Sequence, residues 1–189
     1  MVLKHICQDN KELKLVHRID KNTTGLLLIA KSKRIAKKLS DLFKESKVFK
    51  VYWSICIGKP QKKSGYIKHP LIKSRIKGKE IMIIDNNKNK KAETFYKVIQ
   101  YKKGLSLLHL EPKTGRTHQI RAHLKALDIP ILGDNKYTTE ETLKNKNFSN
   151  HRKMHLHSRQ LIFNLENKEY NFKANLPKDF LITLKEYEF

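Results

Sequence analysis

The protein has 189 residues, and its 41 Lys and Arg against 18 Asp and Glu give a formal net charge of +23. Hydrophobic residues make up 39% of the chain, which is enough for a folded domain and excludes intrinsic disorder by composition. No apolar stretch is long enough to cross a membrane, and the two cysteines form no disulfide framework, so we expect a protein of the reducing cytoplasm. We also expect the protein to be a monomer.

The first predicted elements begin at residue 26. The apolar run at residues 26–30 predicts a buried strand, and Ser32 is a favourable N-cap for the amphipathic helix that follows. Residues 48–58 are rich in β-branched and aromatic side chains and predict a second strand. Residues 59–79 are basic and turn-rich, and we interpret them as a long loop that carries a short strand.

The second half of the chain combines strand hairpins with helices. The predicted elements are a strand at 81–84, a hairpin from 94–101 and 105–110, a helix at 117–127, a polar connection at 140–152, a hairpin from 155–165 and 170–174, and a final helix with Pro177 at its first position. Strands outnumber helices without a βαβ rhythm, so we expect a single α+β domain with a mainly antiparallel sheet.

The charge favours a polyanionic partner. Clustered Lys and Arg release counterions from phosphates, so nucleic acid is a better partner than a membrane or no partner at all. The alternative is a compositional bias, because 34 of the 41 basic residues are Lys and only seven are Arg, which is the better residue for bidentate phosphate recognition. Charge alone therefore indicates a class of partner and no chemistry.

Asp20 is the first candidate for chemistry. It follows His17-Arg18-Ile19 and directly precedes a polar turn that ends at Gly25, so its carboxylate is expected at the mouth of a sheet, where loops carry functional groups. The alternative is that Asp20 only caps the turn.

A second candidate is the segment around Gly115, which lets the backbone turn before a helix. The donors that it offers to phosphate or base edges are Arg116, His118, Gln119 and Arg121. The alternative is a capped helix with a solvated basic face.

A third candidate is the strand at 48–58, where Tyr52 and Trp53 face opposite ways. One of the two rings can stack on a base unless both belong to the core.

No metal or nucleotide cofactor is expected. His151, His155 and His157 lie close together in the sequence, yet they have no Cys partner and form no helical HExxH motif. The GxGxxG and GxxxxGK[ST] loops of nucleotide-binding proteins are also absent from the sequence.

Four motifs in order resemble the RluA-type pseudouridine synthase family, and most closely its branch that acts on large-subunit ribosomal RNA. Residues 17–28 are similar to the HRLDxxTSG signature. The other three matches are residues 50–55 with Gly58, residues 115–124 with 130–134 and Tyr137, and Leu156-His157-Ser158 with Leu161 and Phe163. The fold that this resemblance implies is a bent, mainly antiparallel mixed sheet flanked by helices and loops.

The resemblance implies that uridine in RNA is isomerised to pseudouridine without a cofactor. Asp20 stands at the position of the catalytic Asp, as nucleophile or as base. Tyr52 matches the Tyr that lies against the uracil and is implicated in deprotonating C5, and Arg116 matches the Arg that pairs with the catalytic Asp. The expected RNA is large-subunit ribosomal RNA, with tRNA as the alternative.

RNA contacts are expected around this site and in the loop at residues 59–79, because the target uridine must be flipped out of its stack. The side chains predicted to bind RNA are Arg18, Thr117, His118, Gln119 and Arg121.

The chain departs from the family pattern at its start. Family members carry a strand and a KPxG turn before the first motif, and many also carry an S4-type RNA-binding domain, whereas sixteen residues precede His17 here. We therefore expect residues 1–189 to be one N-terminally truncated catalytic domain. The alternative function is a non-catalytic RNA-binding remnant or ribosome-assembly factor of the same fold; a DNA-binding regulator is less favoured, since no helix-turn-helix pattern is present.

Overall fold

The computed structural model describes residues 13–76, 78–85, 87, 90–138, 148 and 151–189. The predicted polar connection at residues 140–152 lies mostly outside this range. Within the described residues, no helix has both the length and the apolar character needed to cross a membrane.

The elements follow the predicted order closely. The strands are β1 (Lys14–Leu15), β2 (Thr24–Gly25), β3 (Ile29–Ala30), β4 (Phe49–Ile57), β5 (Ser64–Ile67), β6 (Leu71–Ile76), β7 (Lys79–Ile84), β8 (Thr94–Lys102), β9 (Leu105–Pro112), β10 (Leu156–Leu165) and β11 (Lys168–Lys173). The helices are α1 (Lys33–Lys44), α2 (Gln119–Ala126) and α3 (Lys178–Glu186).

One seven-stranded sheet organises the molecule. Its strands run in the order β11-β10-β4-β9-β8-β5, and β2 pairs with β10 beside this path. Every pairing along the path is antiparallel, whereas β2 lies parallel to β10. The α+β class and the mainly antiparallel sheet are thereby confirmed.

Both faces of the central strands are covered. Leu108 and Leu110 of β9 pack with α2, while Leu105 and Leu107 pack with Phe180 of α3. This alternation follows from the two-residue period of a strand, which sends successive side chains to opposite faces. β9 is therefore buried on both faces over most of its length.

Two predicted elements need correction. The strand expected at 26–30 is reduced to β3. The Leu26 N–H donates to the Ser158 carbonyl of β10 (3.0 Å) at the end of the β2 pairing, whereas the Leu28 N–H donates to the His17 side chain at Nε2 (2.8 Å) and not to a backbone carbonyl. The loop predicted at 59–79 contains two strands: β5 joins the edge of the main sheet, and β6 forms a separate hairpin with β7.

The helix starts agree in part with the prediction. Ser32 caps α1, since its Oγ accepts a hydrogen bond from the Ile35 N–H at 3.4 Å. Pro177 occupies the N-cap of α3 with an extended backbone rather than its first helical position, so that detail was wrong by one residue.

Gly25 allows the close approach that brings the first motif onto the sheet. Its φ of +100° is in the left-handed region, and a Cβ there would lie 2.2 Å from the Ser158 carbonyl oxygen. Glycine is therefore required where β2 pairs with β10. This pairing fixes the turn that carries Asp20 above β10 and its neighbour β4.

Candidate active site

A cavity of about 340 Å³ opens where the first turn, the start of β4 and the loop before α2 meet. Its volume is at the lower end of the range for small-molecule sites. The sequence-predicted residues that line it are Arg18, Asp20, Tyr52, Arg116, Thr117, His118 and Gln119. The structure thus brings three motifs, which are spread over about a hundred residues of sequence, to one site.

Asp20 is held at the edge of this cavity by its own turn. Its backbone carbonyl accepts a hydrogen bond from the Thr23 N–H at 2.9 Å, and its side chain is 15% exposed. Asp20 therefore shapes the turn through its backbone and leaves its carboxylate available within a largely enclosed site.

His17 stabilises the entry to the same turn. Its Nε2 accepts the Leu28 N–H at 2.8 Å, and its ring stacks on Phe43 with centroids 4.3 Å apart. Burial, together with the positive charge of Lys50, lowers the pKa of His17 to about 4. The ring is neutral at pH 7, as its acceptor role requires, so His17 holds the loop rather than transferring protons.

Arg121 is the cation that faces Asp20. Its Nη1 lies 3.6 Å from Asp20 Oδ2, while its Nε and Nη2 donate to the two carboxylate oxygens of Asp134, both at 2.7 Å. Asp134 is 1% exposed, so this bidentate pair is almost fully desolvated. The guanidinium is therefore fixed by Asp134 and presents its remaining amino group to Asp20.

This arrangement corrects two predictions. Arg116, predicted to pair with Asp20, is exposed at the cavity rim and donates from Nε to the Lys91 carbonyl at 3.1 Å. Arg121, predicted to bind RNA, is buried and forms the ion pair instead. The physical reason is position: Arg116 precedes α2 on the exposed rim, whereas Arg121 lies within the stretch of α2 in which every residue from 119 to 124 is buried.

Tyr137 supports Arg121 and His118 together. Its ring lies 4.9 Å from the Arg121 guanidinium carbon, and its hydroxyl accepts the Met82 N–H at 2.9 Å. Burial raises the pKa of Tyr137 to about 12, so the phenol keeps its proton and can donate to His118 Nδ1 at 3.0 Å. His118 is thereby oriented at the start of α2, where its φ of +50° turns the backbone into the helix.

Gln119 also differs from its prediction as an RNA-binding residue. It is 4% exposed, and its amide is fully used within the protein. Its Oε1 accepts from the Thr114 hydroxyl (2.6 Å) and the Arg116 N–H (3.0 Å), while its Nε2 donates to the Glu93 carbonyl (2.9 Å) and the Thr94 hydroxyl (3.0 Å). Gln119 therefore fixes the loop before α2 and has no free group for RNA.

Tyr52 projects into the cavity from β4, where Ser158 of β10 is its cross-strand neighbour. Burial raises the pKa of Tyr52, and the negative charge of Asp20 adds to the rise. Tyr52 is thus a neutral phenol beside the carboxylate. The other ring of this motif, Trp53, packs on the opposite face against the cluster of Phe180, which agrees with the predicted alternation.

The remaining predicted RNA contacts keep an accessible position. Arg18 and Thr117 are exposed at the cavity, and His118 is half-buried there. Their role in RNA binding stays a prediction.

The histidines near the start of β10 have structural partners. His155 places Nδ1 2.9 Å from the Lys153 carbonyl and Nε2 2.8 Å from the Thr183 hydroxyl, and His157 places Nδ1 2.8 Å from the Thr24 hydroxyl. Across the described part of the chain, no three His, Cys, Asp or Glu side chains are grouped as metal ligands.

Sequence reasoning assigned no role to His17, Lys50, Asp134 or Tyr137. All four stand inside the motifs that carry the resemblance, which was the available signal. Their roles depend on contacts with residues far along the chain, such as Phe43 for His17 and Met82 for Tyr137.

Comparison with known proteins gives a consistent result. The family described as RNA pseudouridylate synthase matches residues 7–126. The ribosomal large subunit pseudouridine synthase C of Rickettsia bellii is 39% identical over 181 residues, which are 94% of this chain and 58% of that protein. An uncharacterized RNA pseudouridine synthase of Zymomonas mobilis is also 39% identical, over 88% of this chain and 74% of its own length.

Solved structures agree with the sequence relatives. The human RNA pseudouridylate synthase domain containing 4 superposes with a TM-score of 0.77 at 31% identity and covers 99% of this chain and 81% of that chain. The human RNA pseudouridylate synthase domain containing 1 superposes with a TM-score of 0.80 at 26% identity and covers 94% of this chain and 74% of that chain. The chain spans less than two thirds of the Rickettsia relative, and the family match at residues 7–126 includes Asp20, Tyr52 and Arg121. On these grounds the chain belongs to the RNA pseudouridylate synthase family.

Proposed function

We propose that the protein is an RNA pseudouridine synthase that isomerises uridine in large-subunit ribosomal RNA. The observation that carries this proposal is the grouping of Asp20, Arg121 and Tyr52 around one cavity, with Arg121 Nη1 3.6 Å from the Asp20 carboxylate. The names of the Rickettsia relatives support the choice of RNA. Transfer RNA is the alternative substrate.

The reaction breaks the N1–C1′ bond of uridine, turns the freed uracil, and joins its C5 to C1′. One proton then leaves C5 and one is taken up at N1, so the change is an isomerisation without net oxidation. The Asp20 carboxylate can attack C1′ directly or remove a proton from the sugar, and either role needs an unprotonated oxygen close to the ribose. Arg121 supplies a fixed positive charge beside that oxygen.

Tyr52 is suited to lie against the uracil ring. Because burial raises the pKa of Tyr52, its phenol enters the reaction protonated. It can therefore accept the C5 proton only if it passes its own proton to another group. Asp20 is a carboxylate in the same cavity that can take this proton. Contact between the phenol ring and the uracil would also hold the base while it turns.

The test is release of tritium from C5-labelled uridine in large-subunit ribosomal RNA, with labelled tRNA assayed in parallel. We expect release with ribosomal RNA, and we expect Asp20→Ala and the isosteric Asp20→Asn to abolish it. The matched control is Asp41→Ala, which removes an exposed carboxylate on α1 and should keep full activity.

The competing hypothesis is RNA binding without catalysis. The positive charge of +23 favours RNA binding under both hypotheses, so binding does not discriminate between them. A protein that binds RNA and releases no tritium from either RNA would refute the proposed activity. Release that survives both Asp20 variants would refute the assigned role of Asp20.

A further inference from the structure

Lys50 lines the cavity beside Tyr52 without having a place in the reaction described above. The two residues are two positions apart on β4, so their side chains project from the same face of the strand. Their backbone positions are separated by about 7 Å along the strand. Whatever lies against Tyr52 therefore extends towards Lys50.

Lys50 is a partly buried cation without an anionic partner. Among the described residues its Nζ makes no ion pair, and its hydrogen bond is a long one to the Thr114 carbonyl at 3.5 Å. Burial and the positive charge of Lys113 lower the pKa of Lys50. Lys113 has an anionic partner, because its Nζ lies 2.7 Å from Glu111 Oε2, whereas Lys50 has none among the described residues.

The other charges at the cavity reinforce this imbalance. Its lining has one carboxylate, Asp20, against the cations Arg18, Lys44, Lys50 and Arg116. Asp20 already faces Arg121, which lies behind the lining. A buried cation that lacks a counter-ion is costly, so the wall around Lys50 is electrostatically complementary to an anionic ligand.

We propose that Lys50 binds a phosphate group of the RNA chain next to the uridine that lies against Tyr52. This inference rests on the proposed function, because that function places a uridine in the cavity. Uracil and ribose are neutral, so the phosphate is the part of the nucleotide that can neutralise Lys50. A lysine ammonium is a compact point charge of the kind that commonly binds phosphate.

The experiment measures the affinity of the full chain for a uridine-containing single-stranded RNA at a series of KCl concentrations. Each lost phosphate contact is expected to reduce the slope of log K against log[salt] by about 0.7. We expect this reduction for Lys50→Met and for Lys50→Gln, while Lys50→Arg should keep the slope. The matched control is Lys97→Met, which removes an exposed charge on β8 away from the cavity.

An unchanged slope in both charge-removing variants would overturn the proposal. An equal reduction in Lys97→Met would also overturn it, because the effect would then reflect net charge alone. Thermal unfolding of each variant verifies that it is folded. If either Lys50→Met or Lys50→Gln fails to fold, the other variant still tests the proposal.

This outcome is separable from the proposed activity. Tritium release by the unmodified protein together with an unchanged slope would refute the phosphate contact and leave the activity standing. A reduced slope without tritium release would support the phosphate contact and refute the activity.

Discussion

The two sides of the cavity differ in how their charges are balanced. On the Arg121 side, the guanidinium donates two hydrogen bonds of 2.7 Å to the Asp134 carboxylate and lies over the Tyr137 ring. On the Lys50 side, the ammonium has one hydrogen bond of 3.5 Å and no carboxylate partner among the described residues. The charge of Arg121 is balanced within the protein, whereas the charge of Lys50 is left for a ligand to balance.

This difference indicates two roles: Arg121 presents a charge at a fixed place, and Lys50 recognises an anionic ligand. A group that must present a charge at a fixed place gains from a rigid, desolvated support, because it then needs no rearrangement during the reaction. A group that contacts a polyanion gains from staying uncompensated until the polyanion arrives. Variants on the two sides are therefore expected to differ in what they change.

The largest effect is expected from removing the support on the Arg121 side. Asp134→Ala should lower the free energy of unfolding by roughly 3–5 kcal/mol, because it leaves a buried guanidinium without its main partner. Urea denaturation measures this change. The matched control is Asp179→Ala, which breaks an exposed pair with Lys153 and should leave the denaturation midpoint close to that of the unmodified protein. Similar midpoints for both variants would contradict the structural role of Asp134.

A smaller effect is expected when the guanidinium is replaced and the charge is kept. Arg121→Lys retains one positive charge but cannot hold Asp134 bidentately and face Asp20 at the same time. We expect kcat for tritium release to fall by about 10²-fold, as for the loss of one preorganised donor. Arg116→Lys should reduce kcat far less, because Arg116 lies on the rim and makes no ion pair with Asp20 in the described structure. The reverse ranking would restore the sequence-based pairing of Arg116 with Asp20.

The smallest effect concerns His17, which shares its end of the cavity with Lys50. Its pKa is about 4 in the folded protein against 6.5 in the unfolded chain, so the unfolded chain binds the proton first as pH falls. Stability is therefore lost between pH 6.5 and pH 4, and at pH 5 this one group contributes a loss of about 2 kcal/mol.

The measurement is the free energy of unfolding at pH 8 and pH 5. His17→Gln keeps a hydrogen-bond acceptor for the Leu28 N–H but does not titrate, so its loss between the two pH values should be smaller than that of the unmodified protein. Equal losses would show that His17 is not held neutral by its surroundings.

The sequence predicted most of the secondary structure because the patterns are local. The hairpin of β8 and β9 closes through Lys103 and Gly104, both with positive φ, at the turn that the sequence predicted. The prediction failed at 26–30 and at 59–79. In the first case the His17 side chain accepts the Leu28 N–H and interrupts the backbone pairing, and in the second the strands obtained partners that a local pattern does not reveal.

The candidate site shows the same division. Motif positions identified Asp20 and Tyr52, and both line the cavity. Motif positions did not distinguish Arg116 from Arg121, which are five residues apart in one motif. The distinction depends on which of the two guanidinium groups the fold brings to Asp134 and Asp20, and that is a matter of packing.

The sequence by itself determined the class of fold, the family and the residue types of the site, because these depend on residue order, hydrophobic period and motif spacing. Only the tertiary structure decided which charges are paired. Ion pairing depends on distances of a few ångströms between segments that lie far apart in the chain, as with Asp20, Arg121 and Asp134. The charge of +23 was visible from the start, but the fold determines which of its cations remain free to meet an anion.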